Sequence, residues 1–244
     1  ELGEEETWAL ATALNEAAPV DLRVNTLKTD RESLQAQLAA EGYRAKPTPY
    51  SPQGLRRNDR SPLFSLQSFK DGLFEIQDEG SQLIGLATGV KPEMRVLDLC
   101  AGAGGKTLQM AAMMNNKGSI VACDVSPRRL SQLKPRLARA GVFNTRILPI
   151  AHENDVKLKR LRGSFDVVLV DAPCSGTGTL RRNPDIKWRN IDLEQLYQTQ
   201  TSLLRAAGRL VAPGGRVSGR PSLRRVVLGA ASKAAAIRSK IASV

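Results

Sequence analysis

Histidine is almost missing from this sequence. His152 is the single one in 244 residues, which argues against a histidine-based metal site and against a Ser-His-Asp triad, and leaves a surface-loop position as the simplest reading. Cysteine is scarce too. Cys100, Cys123 and Cys174 are too few for a disulfide scaffold and fit a reducing cytoplasm. No apolar run approaches the length needed to span a bilayer. The opening "ELGEEETWAL" is acidic and helix-like, unlike a secretory signal, and its lack of an initiating Met reads as the edge of a fragment. Acidic residues stop at Glu194, and nine basic residues follow from Arg205 onward. The net charge of +12 would fall to +3 without that stretch (12 minus 9). The basic balance suggests a polyanionic partner such as nucleic acid, but most of it belongs to the tail.

What is present has the composition of a globular protein, 41% hydrophobic and 25% charged. "VDLRVNTLK" (20–28) alternates like a strand. The next segment reads as a helix, with Thr29 and Glu32 at capping-box spacing, Leu34 and Leu38 on one face and Gly42 as a stop. A Pro-rich, basic stretch predicts loops and edge strands, and a domain boundary is expected near Asp71. From Lys91 strands alternate with helices, the pattern of a parallel sheet covered on both faces. The expected strands are 95–100, 119–124, 146–150 and 165–171. A helix capped by Ser126, with Pro127 in its first turn, buries Leu130, Leu133 and Leu137 and stops at Gly141. Pro135 should kink or break it, at a cost of about 3 kcal/mol or more. A later helix starts near Asp192, with Gln195 at capping distance, and buries Leu193, Leu196, Leu203 and Leu204.

The loop "DLCAGAGGKT" (98–107) joins the first of these strands to a helix. Glycines there let the backbone turn tightly and approach a ligand, and the helix N-terminus favours a negative group. A phosphate-binding Walker loop would need Gly where Cys100 stands, and a dinucleotide fingerprint would need Gly at Thr107. The remaining reading is S-adenosylmethionine, with its amino-acid end on loop 102–105 and its ribose hydroxyls on Asp124, at the end of the second strand. Asp155 is a weaker candidate for the adenosine edge. In "DAPCSGTGTLRRNPDIKW" (171–188), Cys174 ends the fourth strand, where open α/β sheets bind ligands. A thiol there suits methyl transfer to carbon 5 of a pyrimidine. Thiolate addition to carbon 6 activates carbon 5, and a base then removes the carbon 5 proton.

Together "LDLCAGAGGKT", "ACDVS" and "DAPCSGTGTLRRNPDIKW" resemble the Sun (Fmu) family of RNA cytosine-5 methyltransferases, with the bacterial enzymes of small-subunit ribosomal RNA as the nearest likeness. "DLRVNTLK" and "GLFEIQDEGSQL" are similar to that family's small N-terminal RNA-binding domain. The likeness covers roughly residues 1–215 and is highly specific. It implies an α/β chain: an N-terminal α+β RNA-binding domain (1–70), a Rossmann-like methyltransferase domain (71–215) and a divergent basic tail (216–244). It also implies S-adenosylmethionine contacts from Cys100, Ala101, Gly102, Ala103, Gly104, Gly105 and Lys106, and from Asp124, Asp155 and Asp171. Arg181, Arg182 and Lys187 suit RNA phosphates, while Trp188 reads as core or as a stacking surface, with core favoured. The partner implied is RNA, with no metal and no membrane, and the chain is expected to be a cytoplasmic monomer.

The family uses two cysteines. The one matching Cys174 assists product release. The attacking nucleophile sits in a Thr-Cys-Ser motif on the strand after a Pro-Gly-Gly turn. Here the turn is Pro213-Gly214-Gly215, but "RVSGRPSLRRVVLGAASKAAAIRSKIASV" follows, with no cysteine. The sequence reading takes residues 216–244 as a foreign, poorly ordered reading frame that deprives the sheet of its last strands. The chain is then expected to bind cofactor and RNA weakly and to turn over little. Two other readings stand beside this one: a non-catalytic RNA- or cofactor-binding protein, and a nucleotide-dependent oxidoreductase, which the failed glycine fingerprint disfavours.

Overall fold

The computed structural model describes residues 3–57 and 62–219. Helix α1 (Glu4–Asn15) buries none of its residues and leads to β1 (Val20–Val24). Alternation in β1 has an unusual outcome. Leu22 and Val24 enter a small core with Leu34, Leu38, Leu55 and Phe74. Asp21 and Arg23 point the other way, yet both are also buried, because that face docks onto the rest of the molecule. Helix α2 (Arg31–Ala40) covers the small core with Leu34 and Leu38, as the spacing predicts. Its cap is Asp30, whose carboxylate accepts from the Ser33 amide at 2.8 Å, rather than Thr29. A carboxylate one residue on satisfies the free helix donor instead of the hydroxyl.

Strands β2 (Lys46–Pro47), β3 (Gly54–Arg57) and β4 (Phe74–Ile76) complete an antiparallel sheet in the order β2-β3-β1-β4. A short helix, α3 (Gln67–Lys70), precedes β4. Residues 74–76 lie after the boundary expected at 70, so the first sheet draws strands from both sides of it.

Helix α4 (Glu79–Ala87) leads into a five-stranded parallel sheet in the order β7-β6-β5-β8-β9. The strands are β5 (Arg95–Asp98), β6 (Ser119–Asp124), β7 (Thr145–Pro149), β8 (Phe165–Val170) and β9 (Val211–Gly219). Alternate residues feed two cores. Val96, Ile120 and Val167 meet α5 (Gly105–Met113), α6 (Pro127–Ser131) and α7 (Leu133–Ala140) on one face. Leu97, Val121 and Val168 meet α8 (Val156–Lys159) and α9 (Leu193–Leu210) on the other. Helices α6 and α7 are one predicted helix interrupted at Gln132. Pro135 explains the break, since it has no N–H for the Ser131 carbonyl and its ring crowds that group. In α9 the cap is Asp192, as expected, and Leu203 is buried. Leu193 is exposed, and Gln200, Ala206, Ala207 and Leu210 take the core side.

The fifth strand corrects the expectation that the tail is poorly ordered from 216 onward. Arg216, Val217, Ser218 and Gly219 pair in parallel with residues 167–170 of β8. Arg216 also donates from Nε and Nη2 to the Thr88 carbonyl, at 2.8 and 2.6 Å, and from Nη2 to Gly89. It thus caps the C-terminal end of α4, where a cation is favoured. The expectation for 220–244 lies outside the described residues.

The two sheets are joined by polar groups. Glu75 of β4 is the cross-strand partner of Arg23, and it also receives Arg136 at 2.7 Å and Arg139, both from α7. Asn25 donates to the carbonyls of Gly72 and Ala140, at 2.8 and 2.9 Å, and Lys28 donates to those of Asp71 and Arg139. Gly72 has φ +71°, and a Cβ there would lie 2.0 Å from the Arg139 carbonyl oxygen. The two backbones therefore touch at this point. Replacing Glu75 by Ala should lower unfolding stability by about 3–5 kcal/mol, because it leaves buried arginine charge uncompensated. Urea titration of parent and variant checks this; a loss below about 1 kcal/mol would refute the joint's importance.

Candidate active site

Parallel pairing brings the carboxyl ends of β5, β6 and β8 together, and each strand delivers an acid there. Asp98 and Asp124 close β5 and β6, and Asp171 follows β8 directly. The glycine loop lies over these ends. The Ala101 amide donates to the Cys123 carbonyl at 2.8 Å, and the Gly102 amide donates to Asp124 Oδ2, also at 2.8 Å. Gly102 (φ +55°) leaves room for Arg129, whose Nη2 would lie 2.3 Å from an added Cβ. Gly104 (φ +85°) heads α5, and a Cβ there would strike Leu133 at 2.1 Å. Both positions need a left-handed backbone and empty space, which only glycine supplies together.

Behind the loop, two arginines hold its carbonyls. Arg136 Nη1 donates to Ala103 at 2.7 Å, and Arg23 Nη2 donates to Gly105 at 3.5 Å. In front, Lys106 donates to Asp171 Oδ2 at 2.6 Å, linking the glycine loop to the segment that carries Cys174. A cleft of about 180 Å³ opens between them, lined by Asp98, Cys100, Ala101, Ala103, Arg129 and Asp171 among others. A larger recess of about 530 Å³ opens at the amino ends of β5, β6 and β7, beside Gly118, Phe143 and Asn144, and carries none of the loop residues.

Asp98 escapes the sequence reading. Burial pushes its carboxyl up to about 7, against the lowering bond from Thr107 (2.7 Å to Oδ2). Its Oδ1 has no hydrogen-bond partner among the described residues, although the side chain lines the cleft. The signal was available: an acid immediately before a glycine loop, at a strand end. Asp124 accepts from the Gly102 and Ser126 amides, with Arg129 Nη1 3.7 Å away. Asp155 caps α8 and accepts from the amides of Ala151 and Lys157, at 2.9 and 2.8 Å; these bonds hold its carboxyl below the usual range.

The three thiols differ sharply. Burial pushes Cys100 and Cys123 up to about 12, so they are inert near neutrality. Cys174 is exposed. It stands outside the lined cleft, on the segment whose Pro173 carbonyl accepts from Gln200 at 2.7 Å. His152 is on an exposed loop, where Nδ1 accepts from the Asn154 amide. Among the described residues no group of three or more His, Cys, Asp or Glu could hold a metal ion, and no helix is long and apolar enough to cross a membrane.

The basic segment lands differently from its prediction. Arg182 pairs with Asp78 and donates to the Pro19 carbonyl at 3.2 Å. Arg181 donates to the Ala17 carbonyl at 3.1 Å and approaches Glu16 at 3.4 Å. Both arginines therefore clip the segment to the chain leading into β1. Lys187 is exposed. Trp188 is not in the core: it is 80% exposed, and Ile186 is the residue turned inward. The turn spanning Pro184–Trp188 can bury one apolar side chain against the protein, and the smaller one takes that place.

Because Asp98 holds a proton in the fold that the unfolded chain releases near pH 4, its contribution to stability is present below about pH 4 and is lost as pH rises toward 7. Asp98→Asn should remove that slope between pH 4 and 7. Unfolding free energies of parent and variant across this window check it; parallel curves would refute the buried, protonated carboxyl.

The glycine loop, the strand-end acids and the segment bearing Cys174 thus meet at one end of the parallel sheet. Residues 86–218 match a family model described as 16S rRNA methyltransferase RsmB/F, and residues 1–62 match one described as a RsmF/B-like methyltransferase, ferredoxin-like domain. The probable ribosomal RNA small subunit methyltransferase B of Synechocystis is 34% identical over 87% of this chain and 48% of its own length. The ribosomal RNA small subunit methyltransferase F of Cronobacter sakazakii is 35% identical over 80% of this chain and 42% of its own. The crystal structure of PH0851 superposes with a TM-score of 0.80 at 32% identity, over 88% of this chain and 49% of that one. The chain spans about half the length of these relatives. It belongs to the RsmB/F family of 16S rRNA methyltransferases.

Proposed function

We propose that this chain binds S-adenosylmethionine over loop 100–106 and is built to methylate carbon 5 of cytosine in ribosomal RNA, and that in its present form it turns over little. The observation that carries the reading is the 2.6 Å bond from Lys106 to Asp171, which ties the glycine loop to the strand end bearing the exposed thiol. The donor set fits the cofactor. Asp124 offers carboxylate lone pairs for ribose hydroxyls, and Asp98 Oδ1, without a partner among the described residues, can accept from an ammonium group once the carboxyl gives up its proton. Asp171 follows β8, and Asp155 follows β7 as the cap of α8. When bound, S-adenosylmethionine supplies an electrophilic methyl group.

Carbon 5 of cytosine is a weak nucleophile. A thiolate must form a bond to carbon 6 before carbon 5 can take a methyl group. A base must then take the carbon 5 proton as the sulfur–carbon bond breaks. By family resemblance Cys174 serves this release. The attacking cysteine has no counterpart, since no cysteine follows Cys174. That favours a second reading, a protein that binds RNA or cofactor without catalysing. We assign RNA holding to the N-terminal sheet domain, and we place the protein in the cytoplasm as a monomer.

Calorimetry with S-adenosylhomocysteine should show binding that Asp124→Ala weakens at least about tenfold, roughly 1.4 kcal/mol. Labelled cofactor with unmodified small-subunit RNA should give less than one methyl per chain. Efficient multiple turnover would overturn the impairment, and undetectable binding of S-adenosylhomocysteine would overturn the cofactor site.

A further inference from the structure

The segment after Cys174 is held at both ends and presents one aromatic face. Ile186 is buried, with its Cδ1 3.1 Å from where a Cβ on Gly176 would sit. This seats the turn against the loop two residues beyond Cys174. Arg181 and Arg182 clip the other end to the N-terminal sheet domain. The turn is therefore fixed between the thiol and the first sheet, and Trp188 stands out from it, 80% exposed. Lys187 Nζ lies 5.4 Å from the centre of the Trp188 ring, and Arg189 beside it is exposed. An indole gains little from water and has no packing role at this exposure. A large aromatic face between two exposed cations matches the chemistry of an unpaired nucleotide: the base stacks, and the cations meet the flanking phosphates.

We infer that Trp188 is a stacking platform for an unpaired RNA base next to the target nucleotide, with Lys187 and Arg189 on the adjoining phosphates. The inference rests on the proposed RNA substrate and adds the contact that holds the strand open beside Cys174. Duplex RNA, whose bases are stacked on each other, cannot use it. Arg181 and Arg182 are the clips that orient the platform.

The chain has two tryptophans, Trp8 and Trp188. Trp8 lies on α1, which buries nothing, so Trp8→Phe leaves a protein whose indole emission comes from Trp188 alone. Titrating it with a short unpaired pyrimidine-rich oligoribonucleotide should quench that emission, and a hairpin duplex of the same length should not. Filter retention measures RNA binding independently. Trp188→Ala should weaken retention of the unpaired strand about 5- to 100-fold with an unchanged melting temperature, while Trp188→Phe should keep most of it. Lys187→Ala and Arg189→Ala should each flatten the salt dependence by about one phosphate contact. RNA retained with silent Trp188 emission, or retained equally by Trp188→Ala, would overturn the platform and leave the proposed activity standing. No RNA retention by the parent would overturn both. Quenching that depends on protein concentration in the absence of RNA would assign the face to a second copy instead, and would also overturn the platform.

Discussion

A guanidinium with no access to water sits between the two sheets, and much of the molecule is arranged to keep it charged. Burial draws Arg23 down to about 10, against the pull of Glu75 across the strand pair. Its Nε donates to Gln77 at 2.5 Å, and its Nη2 reaches the Gly105 carbonyl. Such a group is tolerated only if compensated. The compensation involves β1, β4 and the glycine loop at once. Glu75 carries the same constraint onward to Arg136, and Arg136 carries it to the Ala103 carbonyl. The N-terminal sheet is thus a wall of the glycine loop as well as a neighbour of it.

This arrangement makes sense of a loop with so few side chains. Residues 101–105 are Ala-Gly-Ala-Gly-Gly and cannot hold their own shape through side-chain packing. Their amides are fixed from the sheet side, by Cys123 and Asp124. Their carbonyls are fixed from the far side, by Arg136 and Arg23. A pre-formed backbone of this kind can meet a ligand without paying an ordering cost at that moment. The chemistry is then divided by exposure: two thiols are silenced by burial, and Cys174 is left reachable.

Much of this was legible before any coordinates. The four strands around β5 show as short apolar runs between turn signals. Ser126 and Asp192 cap the helices expected of them, and the glycine loop and the Pro-Cys motif adjoin because parallel strands end on one side. What was not legible depends on which elements dock. Asp21 and Arg23 read as the wet face of an alternating strand, and they are buried because a second sheet covers that face. Arg181 and Arg182 read as phosphate ligands, but Asp78, Pro19 and Ala17, remote in sequence, claim them. Trp188 read as core or as a stacking surface, with core favoured, yet it stands exposed and Ile186 is the residue turned inward. Arg216 to Gly219 read as foreign by composition, but a strand edge pairs through backbone groups, which composition does not report.

At Gly72 the two halves meet main chain against main chain, with no side chain between them. A jaw-like opening would have to break that contact along with the ionic joint beside it. The spacing of the two sheets is therefore set by the fold at this point, ahead of any ligand.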